Sequence, residues 1–380
     1  MEKLKTGIIG VGKVAPLHAA ALVNLEESAF TAVCSRSGER ASALAQQYGV
    51  KPYTNVEEMI EKSDVQAVMV CTPHPAHAEA AIKAMAAGAH VLVEKPLAAS
   101  LADCDAMIAA AQSANVKLAM ISQRRLYAPV QRIKKAITEG KLDQPVLGVV
   151  TLFGWRDRVY YESDPWRGTW REEGGGVLVN QAPHQLDILQ WLMGPIAEVS
   201  GVWANLNHPY IEVEDTALAI IRFKNGALGN VIVSNSQNPA LYGKVAVFGR
   251  NGAAVGVQTD GGAMFVPGLS TITSPPINDL WTIPGEEDLL KLWQDEDAEF
   301  FQRIDATTYY HQLQIQDFLR AISANRDPMI TSEEGRKTVE LFTAIYRSQR
   351  DRKRIEFPLQ PEDDRDDFDG RVSGGKIKTN

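Results

Sequence analysis

Two segments of this 380-residue chain have residue types and spacings that could do chemistry. The first is Glu94-Lys95-Pro96, directly after the apolar run His90-Val91-Leu92-Val93. A buried strand that ends in a lysine places an ammonium at the carboxyl edge of a sheet, where open α/β sheets bind their ligands. The proline bars the residue before it from helical geometry, so the lysine sits on a defined turn. The second segment runs Gly174-Gly175-Gly176-Val177-Leu178-Val179-Asn180-Gln181-Ala182-Pro183-His184-Gln185-Leu186-Asp187. Three glycines permit backbone close to a ligand. Asn180, His184 and Asp187, spaced four and three apart, share a face if the helix begins early enough. An imidazole there suits a general base poised near neutral pH. From spacing alone, a histidine that merely satisfies its own helix is an equal alternative.

The elements that must position these groups can be read from the pattern. Apolar runs at 6–9, 30–34, 65–71, 90–93 and 116–120, with a weaker one at 52–54, alternate with helical segments. Ser37, Asn55 and Ser100 stand where N-caps belong, and Gly49 and Gly88 where helices stop. Such alternation predicts a doubly wound parallel sheet of Rossmann type over 1–125. Gly10-Val11-Gly12-Lys13-Val14-Ala15 follows the first strand. Gly10 permits the tight turn, Gly12 lets backbone approach a pyrophosphate, and Ala15 allows close helix–strand packing. The pattern predicts a dinucleotide and, with Lys95, a nicotinamide-dependent oxidoreductase. The second strand ends Cys34-Ser35-Arg36, without the acidic residue that would meet a ribose diol. Arg36 could pair with a 2′-phosphate, which favours NADP over NAD. Residues expected at the cofactor are Gly10, Gly12, Lys13, Val14, Ser35, Arg36, Thr72, Pro73, His77, Glu94, Lys95 and Gln123. His74 and His77 lack an accompanying cysteine or carboxylate cluster, so structural roles are expected before metal ligation, and no metal is required.

Past Tyr127-Ala128-Pro129 the pattern changes: a helix at 130–139, stopped by Gly140, leads into strands of period two. Apolar alternation at 215–223 and 228–234 flanks Asn225-Gly226, the strongest short-range hairpin signal. Further strands are expected at 146–153, 199–205, 244–248 and 253–257, and helices at 286–302, 309–324 and 332–351. The expectation is an α+β domain over 126–358 with a large, mainly antiparallel sheet that binds substrate and joins subunits as a homodimer or homotetramer. Residues 359–380 read as a polar acidic tail. Trp155, Arg156, Tyr160, Tyr161, Asp164, Trp166 and Arg167 concentrate aromatics and charge. Aromatic faces stack on the C–H faces of sugars, and Arg and Asp hydrogen-bond hydroxyls. Trp155, Arg156, Asp164, Trp166, Arg167, Asn180 and His184 are therefore the candidate substrate residues.

Composition excludes other classes. The net charge of −8 argues against nucleic acid or an anionic membrane as partner, and no run is long and apolar enough to span a bilayer. Three cysteines beside apolar runs (Cys34, Cys71, Cys104) read as buried free thiols, and with no signal peptide expected the protein reads as cytoplasmic.

On its glycine loop, Cys71-Thr72-Pro73 with His77, Glu94-Lys95-Pro96, the 174–184 segment and Gln314-Ile315-Gln316-Asp317-Phe318, the chain resembles the Gfo/Idh/MocA oxidoreductases. The resemblance implies a two-domain, oligomeric enzyme acting on a carbinol of a sugar, glycoside or cyclitol. It also implies Lys95 as the catalytic lysine on the reacting oxygen and His184 as the proton-transferring histidine. Many members carry aspartate where this chain has Asn180. Asp187 could then orient His184, Lys95 could carry more of the proton traffic, or Asn180 could bind a substrate hydroxyl. Members with Asn here include dehydrogenases suited to the C3 hydroxyl. Two alternatives stand beside this reading: an enzyme that recycles a tightly bound cofactor on glycosides, and a non-catalytic dinucleotide sensor.

Overall fold

The computed structural model describes residues 2–260, 270 and 272–362. The chain divides into two compact units, the first made of residues up to Gln123 together with Ala306–Lys337. In the first unit, strands β1 (Leu4–Ile9), β2 (Ser28–Cys34), β3 (Lys51–Tyr53), β4 (Ala67–Val70), β5 (His90–Val93) and β6 (Leu118–Met120) form a six-stranded sheet in the order β3-β2-β1-β4-β5-β6. Every pairing is parallel. The order reverses between β1 and β4, which opens a crevice at their carboxyl ends. All of β4 and the last three residues of β5 are buried, as a sheet covered on both faces demands.

Helices α1 (Ala15–Asn24), α2 (Gly38–Tyr48), α3 (Val56–Ser63), α4 (His77–Ala86) and α5 (Leu101–Ala114) connect these strands. Their starts are chemically specified. Ser37 Oγ accepts from Arg40 N at 3.3 Å, Asn55 Oδ1 from Glu58 N at 2.7 Å and Ser100 Oγ from Asp103 N at 3.0 Å.

The second unit contains α6 (Ala128–Thr138), β7 (Pro145–Phe153), α7 (Arg158–Glu162), α8 (Trp170–Glu173), α9 (Val177–Asn180), α10 (Pro183–Met193), β8 (Ile196–Ala204), β9 (Thr216–Phe223), β10 (Leu228–Ser234), β11 (Tyr242–Gly249), β12 (Ala254–Asp260), β13 (Ile277–Trp281) and α11 (Leu289–Phe301). Its eight-stranded sheet is closed at one end by β14 (Ile355–Glu356) and runs β13-β12-β11-β7-β10-β9-β8-β14. Within this sheet, among the described strands, only the β7–β10 pairing is parallel. The expected hairpin is β9–β10. One sheet face buries Val150, Leu152, Val231, Val233, Val245 and Val247, and α10 buries Leu186, Leu189, Leu192 and Met193. Helix and sheet touch so closely that a Cβ on Gly148 would lie 2.7 Å from Leu189. The other face leaves Val202, Leu218, Ile220 and Leu228 exposed.

The structure corrects the expected division at one segment. The pattern places residues 306–337 with the second domain, but helix α12 (Ala306–Ser323) completes the first unit. Ile315, Phe318 and Leu319 join a core with Ile8, Ala19, Leu22 and Met69. The Gln314 amide clamps the end of β6, donating to Met120 O at 2.7 Å and accepting from Ser122 N at 2.9 Å. Helix α13 (Ser332–Asp351) follows. Of the expected tail, residues 363–380 lie outside the described residues. Residues 359–362 are held: Leu359 N donates to Glu340 Oε1 at 2.6 Å, and Arg350 pairs with Glu362 at 2.7 Å.

Candidate active site

At the carboxyl edge of the parallel sheet, Gly10 turns with φ +93°, and a Cβ there would lie 2.7 Å from Cys71 C and Thr72 N. Only glycine fits. Gly12 is exposed, with Lys13 and Val14 half-buried beside it. Two side-chain oxygens at this edge, Thr72 Oγ1 and Gln123 Oε1, are buried without a hydrogen-bond partner in the protein. Buried polar atoms are ordinarily satisfied, so these two point to a ligand that supplies the partner. The set fits a dinucleotide, with Gly10, Gly12, Thr72 and Gln123 placed to hold it. Ser35 Oγ accepts from Ser37 N at 3.3 Å, and Arg36 is exposed after β2.

Two residues expected at the cofactor, His77 and Glu94, are buried and make contacts within the protein. His77 is fully buried, with Nδ1 2.8 Å from Pro96 O and Nε2 2.9 Å from Thr72 O. Both ring nitrogens thus face backbone carbonyls, one of which accepts the single N–H of the neutral ring, and His77 packs the Thr72-Pro73 turn against the turn after β5. Burial pushes its pKa down, in spite of the carbonyl contacts. Glu94 is buried and meets His18 Nε2 at 2.7 Å. Burial opposes its charge, but the His18 hydrogen bond and charge hold it at about 2. Burial likewise opposes the His18 imidazolium, which Cys71 and Glu94 nevertheless raise to about 10. Lys95 is half-buried on the turn between Glu94 and a cis proline bond. Cys34, Cys71 and Cys104 are free and buried. Among the described residues, His18, Glu94 and His311 form a group with spacing that could hold a metal; its members lie far apart in the chain, so no local motif marks it.

In the second unit Tyr160 is the hub. Its buried Oη receives Arg167 Nη1 at 2.5 Å, Asn180 Nδ2 at 3.0 Å and Gln181 Nε2 at 3.1 Å. The Arg167 guanidinium lies 4.2 Å over the Tyr160 ring and 4.4 Å over Trp166, with Asp164 3.2 Å from its Nε. Arg156 covers the Tyr160 ring at 5.0 Å and is buried. Arg156, Asp164, Trp166, Arg167 and Asn180 therefore gather around one tyrosine. Trp155 stands apart, its ring 5.5 Å from that of His208. His208 is itself buried between Asp215 Oδ2 and Arg156 O, each at 2.7 Å.

His184 is buried in the first turn of α10, and Gln181 and Ala182 keep right-handed helical dihedrals, so Asn180 lies one turn before it. Asp187, expected as one possible support for His184, forms a buried ion pair. Arg125 grips its carboxylate through Nε and Nη2, both at 2.7 Å. The Asn180 amide instead donates to Glu173, a residue the sequence reading did not single out. The start of α9 is set by Glu214, which accepts from Gly176 N at 2.9 Å and Leu178 N at 3.0 Å. A Cβ on Gly176 would fall 1.7 Å from Glu214 O, so the third glycine serves a close approach.

Comparison with known proteins agrees with this construction. Residues 4–122 match the family described as oxidoreductase family, NAD-binding Rossmann fold, and residues 130–255 match the GFO/IDH/MocA C-terminal domain. Myo-inositol 2-dehydrogenase of Thermotoga maritima is 31% identical over 260 residues, covering 66% of this chain and 74% of that protein. The scyllo-inositol 2-dehydrogenase (NAD(+)) of Bacillus subtilis is 24% identical, covering 92% of this chain and 95% of that protein. The WlbA dehydrogenase of Bordetella pertussis, solved in complex with NADH and UDP-GlcNAcA, superposes with a TM-score of 0.80 at 29% identity. That superposition covers 94% of this chain and 100% of the other. The chain belongs to the Gfo/Idh/MocA oxidoreductase family and is a dehydrogenase acting on CH–OH groups, with an NAD-binding Rossmann domain.

Proposed function

We propose that the protein transfers hydride reversibly between a nicotinamide and a ring secondary alcohol of a sugar, glycoside or cyclitol, with the C3 hydroxyl as the reacting position. The nicotinamide supplies the hydride acceptor. Lys95 hydrogen-bonds and polarises the reacting oxygen, and His184 takes the hydroxyl proton. Arg167, Asp164, Trp166 and Arg156 bind the ring, and Trp155 borders it. The observation that carries the reading is the half-buried Lys95 on a turn that His77 packs against Thr72, whose own hydroxyl awaits a partner. The inositol substrates named for relatives and the nucleotide sugar held by WlbA support the substrate class. Ser35 and Arg36, without a carboxylate, support NADP. The exposed apolar sheet face, with Val202, Leu218 and Ile220, supports a homodimer or homotetramer.

Nicotinamide absorbance, with NAD⁺ and NADP⁺ in parallel against free sugars, glycosides and inositols, tests this directly. Reduction is expected with one ring class. Lys95→Ala should cut turnover by about a hundredfold or more with cofactor affinity nearly intact. Parental turnover in that variant would refute the assignment. Nucleotide retained through purification, with silence across the panel, would favour self-recycling instead.

A further inference from the structure

An amide next to a general base can offer it either a donor or an acceptor, and its other partners decide which. Both Nδ2 hydrogens of Asn180 are directed to oxygens, one to Glu173 Oε1 and one to Tyr160 Oη. The atom that Asn180 can present along its helix is therefore Oδ1, an acceptor. Glu173 is 1% exposed, and its second oxygen accepts from Gly168 N at 2.6 Å. Tyr160 is fixed in turn by Arg167 and by Gln181, whose Oε1 accepts from Asn235 Nδ2 at 2.7 Å. The amide orientation is thus set by a chain of buried contacts.

We propose that Glu173 is a positioning residue for proton transfer at His184. It locks Asn180 with its carbonyl presented to the helical turn of His184, and it places a carboxylate one residue removed from the base. This rests on the reading of His184 as proton acceptor. An acceptor at one imidazole N–H leaves the lone pair on the other nitrogen for the hydroxyl proton. As the alcohol gives its hydride to the nicotinamide and its proton to that nitrogen, the imidazolium forms beside the Asn180 dipole and the Glu173 charge. Arg167 and Arg156, both over the Tyr160 ring, are the cations facing this cluster.

Charge transposition tests the proposal. Glu173→Gln keeps the size and removes the charge. Asn180→Asp sets two carboxylates in contact, which disfavours both. The double variant restores one carboxylate to the contact. E173Q should lower kcat roughly tenfold or more while KM stays within about threefold. N180D should also be impaired, and the double variant should exceed both. A parental kcat in E173Q, or a double variant no better than the weaker single, overturns the proposal. His184 ring resonances, identified by their loss in His184→Asn, give a readout without turnover. Their titration midpoint should fall in E173Q, and an unchanged midpoint also overturns the proposal. A parent enzyme inactive on every sugar and cyclitol would refute the dehydrogenase reading, while this titration would still decide the role of Glu173.

Discussion

His18 Nε2 and Glu94 Oε1 meet at 2.7 Å in the interior of the first unit, joining α1 to the residue before Lys95. Each favours the charge of the other, with Cys71 adding to the rise of His18. His18 is raised to about 10 and Glu94 held at about 2. The raised histidine stabilises the fold fully below its unfolded value of 6.5, and this is lost as pH rises toward 10. The depressed glutamate stabilises it fully above 4.5, and this is lost as pH falls toward 2. Both contributions are complete between 4.5 and 6.5. His18→Gln strands a buried carboxylate and should cost about 3 kcal/mol or more. Denaturant midpoints at several pH values check this: the gap between parent and variant should shrink at alkaline pH.

His77→Ala should loosen two turns together, since the ring lies against both Thr72 O and Pro96 O and, as a neutral imidazole, donates to one of them. The side chain touches no solvent, so its effect on turnover must travel through Lys95 and Thr72. A fall in kcat of about tenfold or more is expected, with weaker nucleotide binding. Cofactor fluorescence titration and steady-state rates measure the two effects separately. Unchanged values for both would show that the turns hold without it.

Replacing Arg36 by Ala tests the cofactor preference. A guanidinium facing a 2′-phosphate should be worth about tenfold or more in affinity, with no counterpart for a ribose diol. The ratio of kcat/KM for NADP⁺ to that for NAD⁺ should therefore drop by that factor. A ratio that stays put would return Arg36 to the role of a solvated residue at the start of α2.

What could be read from the chain beforehand was what is local. Ser37, Asn55 and Ser100 cap their helices because each needs only the backbone three residues on. Asn225-Gly226 turns β9 into β10 for the same reason. Lys95 and His184 carry recognisable neighbours. Pairings over long separations were hidden: Asp187 finds Arg125 62 residues away, and Glu94 finds His18 76 residues away. Phe318 sits on a helix of ordinary pattern, and only tertiary packing sends it to the Rossmann core. Glu173 lay unseen in Arg171-Glu172-Glu173, a charged stretch that reads as a solvated face until one carboxylate turns inward.

Glu214 gives the site a dependence on pH that can be derived in sign. It is wholly buried, and its carboxylate accepts from Gly176 N, Leu178 N and Tyr346 Oη, the last at 2.7 Å. Burial raises its pKa to about 7 against those donors. A group raised on folding binds its proton more tightly in the native state, so its stabilisation is complete below 4.5 and is lost as pH rises through 7. Glu214→Gln cannot ionise and should remove this part of the slope. It should also cost about 1–2 kcal/mol at pH 5, because one face of the amide meets a backbone N–H where an oxygen is needed. Because the same carboxylate fixes the start of the helix carrying Asn180, kcat should fall in the variant at every pH. Melting curves of parent and variant between pH 5 and 8 decide the matter: parallel curves would mean that Glu214 keeps one protonation state throughout, and converging curves that it titrates as derived.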